Sequence, residues 1–164
     1  MNRSLQALVL GTLIFALDQT SKQLALQWIP SDQPVDVIPG FFKLSLITNT
    51  GAAWGIMRDH GFWLTLLAIM VLLMLLAARR HFTHTGILPR IALGLLLGGI
   101  GGNLADRLMH GYVVDFLDFY IGSRHWPAFN VADSAICSGV ALYLFDSFRR
   151  RPAPAGNEEC GMNP

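Results

Sequence analysis

Four long apolar stretches, parted by polar and turn-forming segments, organise the chain. The second, "GFWLTLLAIMVLLMLLAA" (61–78), holds eighteen uncharged residues, close to the roughly 20 needed to cross about 30 Å of hydrocarbon. It predicts a membrane-crossing helix over 61–80. The first begins near Leu5, and thirteen residues, "LQALVLGTLIFAL", precede Asp18. No small-x-small cleavage motif comes after it, and the apolar pattern resumes at Leu24, Leu26 and Trp28, so a retained helix over 5–28 is predicted rather than a cleaved leader. The third (91–111) and fourth (127–148) stretches are each polar at one end. Between the first two lies "IPSDQPVDVIPGFFKLSLITNTGAAWGIMRDH", where Pro30, Pro34 and Pro39-Gly40 break helix. Phe42, Leu44 and Leu46 then alternate with Lys43 and Ser45 as a half-buried strand would. The pattern predicts an all-α membrane protein: a bundle of four transmembrane helices with a small extramembrane β element (about 29–60) between helices one and two. One domain is expected over 1–151, then a disordered tail over 152–164.

Composition agrees, since 52% of the 164 residues are hydrophobic and only 14% charged, which is unusual for a soluble domain. The net charge of +1 hides an asymmetry. Arg3, Arg79, Arg80, Arg90, Arg149, Arg150 and Arg151 fall at one end of the expected bundle; Lys22, Lys43, Arg58, Arg107 and Arg124 fall at the other. The first group crowds helix ends and short segments, so the positive-inside rule places both termini in the cytoplasm. Trp28, Trp54, Trp63 and Trp126 all fall near the opposite boundary, where indoles favour headgroups. Cys137, in an apolar run, and Cys160, in the polar tail, do not suggest a disulfide; Cys137 reads as a small buried apolar residue. No Cys/His spacing suggests a metal, no cofactor motif is found, and nothing points to nucleic acid.

The same topology gathers the unusual polar residues at the outer end. Helix one leaves past Asp18 and Lys22, helix three near Asn103, Asp106 and Arg107, and helix four enters through Asn130 and Asp133, with Asp115 in the connection before it. An ionised aspartate at mid-bilayer costs at least about 2.5–3.5 kcal/mol, so such residues need a reason. Asp115 and Asp133 form a candidate pair: two adjacent carboxylates cannot both ionise easily and can share a proton, which suits acid–base hydrolysis of an amide. On spacing alone a structural reading stands beside this one, in which Asp133 favours the positive end of a helix capped by Asn130. Asp18 and Lys22, four apart with the acid first, are expected to pair. Arg107 is expected to neutralise Asp106. Asp146, at the inner end of helix four, reads as ordinary interfacial charge. Gly94, Gly98 and Gly102 form a small-residue stripe for close packing against helix one or a bound peptide helix. In "NTGAAWG", Asn49 carries both a donor and an acceptor for a peptide backbone.

Five segments in order, "DQTSK" (18–22), "NTGAAWG" (49–55), "GNLADR" (102–107), "VVDF" (113–116) and "FNVAD" (129–133), resemble the lipoprotein signal peptidases, or signal peptidase II, of bacterial inner membranes. The resemblance implies a four-helix aspartyl endopeptidase that removes signal peptides from diacylglyceryl-modified prolipoproteins, cutting before the lipidated cysteine. It implies Asp115 and Asp133 as the catalytic dyad near the periplasmic face. Asp18, Lys22, Asn49, Gly51, Asn103, Asp106, Arg107 and Asn130 match supporting positions. Membrane lipids and the inhibitor globomycin are the other implied partners. Which aspartate is base and which acid stays open.

Other classes remain. A proton-coupled transporter also keeps intramembrane carboxylates, though it would need them near the midplane rather than at one interface. A non-enzymatic docking protein for lipoproteins would use the β element and glycine stripe as a groove. A presenilin-like protease would carry Gly-x-Gly-Asp, which "GGIGGNLAD" does not supply.

Overall fold

Hydrophobic segments of this length must satisfy their backbone internally, and the computed structural model, which describes residues 2–51 and 60–150, does so with four long helices and one small sheet. In chain order these are α1 (Arg3–Trp28), β1 (Val35–Ile38), β2 (Phe42–Asn49), α2 (Gly61–Thr85), α3 (Ile87–His110), β3 (Val113–Ile121), β4 (Arg124–His125) and α4 (Val131–Arg149). Trp54, Arg58, Arg151, Cys160, the "AAWG" part of the 49–55 turn and the tail over 152–164 lie outside the described residues.

α3 is the hub, packed against α1, α2 and α4. Its glycine stripe settles which neighbour it serves. A Cβ added at Gly98 would stand 2.5 Å from the Gly11 carbonyl oxygen and 2.7 Å from the Ile14 Cβ, so the stripe faces α1. The face about 100° round the helix approaches α4 as closely: a Cβ at Gly99 would lie 2.5 Å from the Ala132 carbonyl oxygen. Without a hydrophobic drive between helices in lipid, such backbone proximity is what gives dispersion its grip. These contacts make α1 and α3 parallel and α4 antiparallel to both. Below the polar end, Ala7, Leu75, Phe82, Leu93, Leu96 and Leu97 form the apolar core. α2 shows Phe62, Trp63, Met70, Leu73 and Met74 outward, as a lipid-facing helix should.

Among the described residues three helices, α2, α3 and α4, are long and apolar enough to cross a membrane. α1 is as long but carries Asp18 and Lys22. Three helix limits differ from the sequence pattern for local reasons. α2 runs through Arg79 and Arg80 to Thr85, because a helix need not stop where hydrocarbon does, and α3 begins at Ile87 with Pro89 tolerated in its first turn. α4 starts only after Asn130, whose side-chain oxygen accepts from the Asp133 N–H (2.9 Å) while Asp133 accepts from the Asn130 N–H (3.3 Å), a closed capping box.

The β element is larger than the sequence pattern indicates. Its four strands are ordered β1-β2-β3-β4 and all antiparallel, and half of them come from the connection between α3 and α4 rather than from the α1–α2 segment. Gly111, at φ 79, ends α3 in the left-handed region and turns the chain into β3. Register then sets Asp115 opposite Ile47 and Val113 opposite Asn49. Ala25, Ile29 and Phe116 form a second core that fastens the sheet to the end of α1.

At the inner end, Asp146 is not a simple surface charge. It is 3% exposed, accepts from Arg150 Nε at 2.6 Å and lies 3.7 Å from Arg149 Nη2. The turn geometry of α4 brings both arginines back over it, which an i, i+4 and i, i+3 spacing permits.

The Gly98 contact gives a sharp test. Gly98→Ala should lower thermal stability in detergent by about 1–3 kcal/mol, since neither Gly11 nor Ile14 can retreat. Gly101→Ala, whose Cβ would meet only Phe15 at 3.5 Å, should be neutral or slightly stabilising.

Candidate active site

The polar end of the bundle is built around one ammonium. Lys22, 1% exposed, has three protons and meets three oxygens: Asp18 Oδ2, Asp106 Oδ2 and Asn103 Oδ1, each at 2.9 Å. A buried charge is tolerable only with this degree of pairing. The carboxylates are used again. Asp18 Oδ1 accepts from the Ala132 N–H (2.8 Å) at the start of α4, and Asp106 Oδ2 accepts from the Val114 N–H (3.0 Å) in β3. Gln19, which the sequence pattern does not single out, donates to Asp106 Oδ1 (2.9 Å) and the Gly102 carbonyl (3.2 Å). It sits beside Asp18 within "DQTSK", and that adjacency is the available signal.

Asp106 therefore pairs with Lys22, not with Arg107 as sequence proximity suggests. Neighbouring residues on a helix point about 100° apart, and Arg107 turns instead toward the Gly51 carbonyl (Nη2, 3.1 Å). Asn49 Nδ2 donates to Asp115 Oδ2 (2.9 Å) and its Oδ1 accepts from the Gly51 N–H (2.9 Å), which orients the amide on the cavity wall.

From Lys22 the order passes outward. With its oxygen on the ammonium, Asn103 must turn its NH₂ toward Asp133, to whose Oδ1 it donates at 2.7 Å. Asn130, fully buried, donates from Nδ2 to Asp115 Oδ1 at 2.7 Å, while its backbone N–H reaches Asp133 Oδ2. One residue thus spans both candidate carboxylates. Each oxygen of Asp115 accepts one amide, which fixes the carboxyl plane. Burial lifts the Asp115 carboxyl to about 7, reinforced by the negative charge of Asp133 and opposed by the amides of Asn49 and Asn130 and the charge of Lys22.

Asp115 and Asp133 open on a common cavity of about 570 Å³, shared with Asn49, Gly51, Asn103 and Arg107. Trp126, Pro127, Ala128 and Phe129 form one wall; Ile47, Val113 and Ile136 add apolar surface. Cys137 also lines it and is exposed, which corrects its reading as a buried residue: one turn after Asp133, it shares that residue's face. All ten residues singled out in the sequence thus lie in one connected layer, Asp18, Lys22, Asp106 and Asn130 beneath the cavity and the other six on it. Among the described residues no group of three or more His, Cys, Asp or Glu is arranged to hold a metal ion. What this arrangement presents is two oriented carboxyls on one cavity.

Comparison with known proteins gives a consistent result. The family model described as signal peptidase (SPase) II matches residues 10–149. The chain is 40% identical over 149 residues to the lipoprotein signal peptidase of Alteromonas mediterranea, covering 88% of this chain and 81% of that protein. It is 41% identical over 150 residues to that of Shewanella loihica, covering 89% and 88%. A solved bacterial membrane enzyme, determined in meso at 2.3 Å resolution, superposes with a TM-score of 0.78 at 28% identity, over 90% of this chain and 93% of that one.

Removing the central cation should be costly whatever the activity. Lys22→Met leaves Asp18 and Asp106 buried without a counter-charge, and should lower unfolding free energy by about 3–5 kcal/mol in a detergent denaturation series.

Proposed function

The chain belongs to the signal peptidase II family, a family of membrane peptidases that act on signal peptides, and we propose that it is an intramembrane aspartyl endopeptidase that frees diacylglyceryl-modified prolipoproteins of their signal peptides. The observation that carries this reading is the pair of carboxyls, Asp115 buried and Asp133 partly buried, each oriented by asparagine amides on the wall of one cavity.

The chemistry needs one proton between the pair. Asp115, lifted to about 7, holds it below that pH. Asp133 takes a proton from a water as the water oxygen attacks the scissile carbonyl carbon, and Asp115 gives its proton to the carbonyl oxygen. The tetrahedral diol collapses when Asp133 returns its proton to the amide nitrogen and Asp115 recovers one from a hydroxyl. The C–N bond breaks and the dyad is restored. Cutting just before the lipidated cysteine accords with the site's place at the end of the bundle, where a peptide helix can unwind and meet water while acyl chains stay in lipid.

The same reading makes α1 a fourth membrane span. At 26 residues it is about 39 Å long, enough to cross, and its charges face α3 and α4 while Leu13 and Leu17 face outward. With Arg79, Arg80, Arg90, Arg149 and Arg150 at one end and Trp28, Trp63 and Trp126 exposed at the other, both termini are cytoplasmic and the site faces the periplasm across the inner membrane. Globomycin, the inhibitor associated with the family, would occupy the cavity.

Purified protein should release the signal peptide from a diacylated precursor, and globomycin should block release. Asp115→Asn and Asp133→Asn should each lower turnover at least about 10³-fold while leaving the circular dichroism spectrum unchanged; normal turnover by either variant rules out the dyad. The rate should also fall as pH rises past about 7, because the proton held by Asp115 is then lost. A rate that climbs steadily to pH 9 contradicts that assignment.

A further inference from the structure

A second polar cluster, on the sheet and away from the dyad, plays no part in the proton transfers of peptide cleavage. Asp118 in β3 is 5% exposed and gathers three partners from two neighbouring strands. Lys43 Nζ lies 3.6 Å from its Oδ2, Ser45 Oγ donates to the same oxygen at 3.3 Å, and His125 Nδ1 stands 2.9 Å from its Oδ1. A carboxylate only accepts, so the last contact requires the histidine proton on Nδ1. The His125 ring also stacks on Tyr120, centroids 5.4 Å apart and planes 14° from parallel. Tyr120 is held in turn, since its hydroxyl donates to Asp36 Oδ1 (2.8 Å) and accepts from the Gly40 N–H (3.0 Å).

His125 matters because it is the last residue before the binding surface. β4 is two residues long at the edge of the sheet, paired through Tyr120↔His125 and Ile121↔Arg124, and a ribbon that short holds weakly by its backbone. Immediately after it come Trp126, Pro127, Ala128 and Phe129, which line the same cavity as Asp133. That wall is tied at its ends, by Trp126 N–H to the Phe119 carbonyl (2.8 Å) and by Phe129 to Leu117 (3.1 and 2.9 Å), while Pro127 has no N–H to give. The dyad carboxyls, in contrast, are fixed from the other side by Asn49, Asn103 and Asn130.

We propose that His125 is a positioning residue: by clasping Asp118 it locks β4 onto β3 and so sets the height of the Trp126–Phe129 wall against which the peptide lies. The role rests on the proposed peptidase activity for its effect on substrate, but not for its effect on the wall. Because the clasp orders the binding surface and not the carboxyls, its loss raises KM and spares kcat.

The test uses the full-length protein in micelles with three readouts. His125→Ala should raise KM for a diacylated precursor at least about 5-fold, keep kcat within about 2-fold, and speed amide exchange at Trp126 and Phe129 about 10-fold or more. His125→Asn, whose side-chain NH₂ can take the place of Nδ1, should restore both KM and exchange. Wild-type KM and exchange in His125→Ala would overturn the proposal, as would a fall in kcat at constant KM, or an Asn variant no better than Ala, which would assign the effect to ring packing on Tyr120. If the wild type cleaves no lipidated precursor yet exchange changes in the expected order, the clasp stands and the peptidase reading fails.

Discussion

An ammonium group buried at the end of a helix bundle has three protons to satisfy and no water with which to do it. Lys22 meets that constraint with one oxygen from its own helix and two from α3, and the rest of the polar layer is arranged around the choice. Asp18 and Asp106 supply the counter-charge to Lys22, and each has a second oxygen or lone pair left over to accept an N–H from α4 or β3. Asn103, with its oxygen claimed, can only donate onward to Asp133. A single cation thereby dictates amide orientation, helix docking and strand placement in one connected set of bonds, and the cluster is cooperative in the sense that no member can be removed without stranding another.

The sheet supplies what helices alone do not. Four parallel or antiparallel rods leave a flat polar end, whereas β2 and β3 fold over it and bring Asn49, Gly51 and Asp115 to face Asn103, Arg107 and Asp133. The cavity is therefore half helical and half sheet in origin, polar at the carboxyls and apolar around them. That mixture suits a peptide carrying acyl chains, whose backbone needs hydrogen-bonding groups and whose lipid needs none.

How much of this could be read from the letters depends on the range of each interaction. Asp18 with Lys22, and Asn130 with Asp133, are local, and helical spacing discloses them. Lys22 with Asp106 joins residues far apart in sequence, so the nearer Arg107 draws the assignment instead. β3 escapes notice because "VVDFLDFYI" is apolar on both faces with an aspartate on each and is buried along most of its length, which erases the two-residue alternation that marks a half-exposed strand. The glycine stripe is visible, yet only geometry says that α1 fills it.

The double duty of Asn130 carries a further implication. The residue that starts α4 also spans the two carboxyls, so the layer does not exist until the last helix has been seated beside α3. The segments that precede α4 supply Asp115 with the Asn49 amide but with neither Asp133 nor the Asn130 amide. On the proposed dyad mechanism, both carboxyls come together only once α4 is in place.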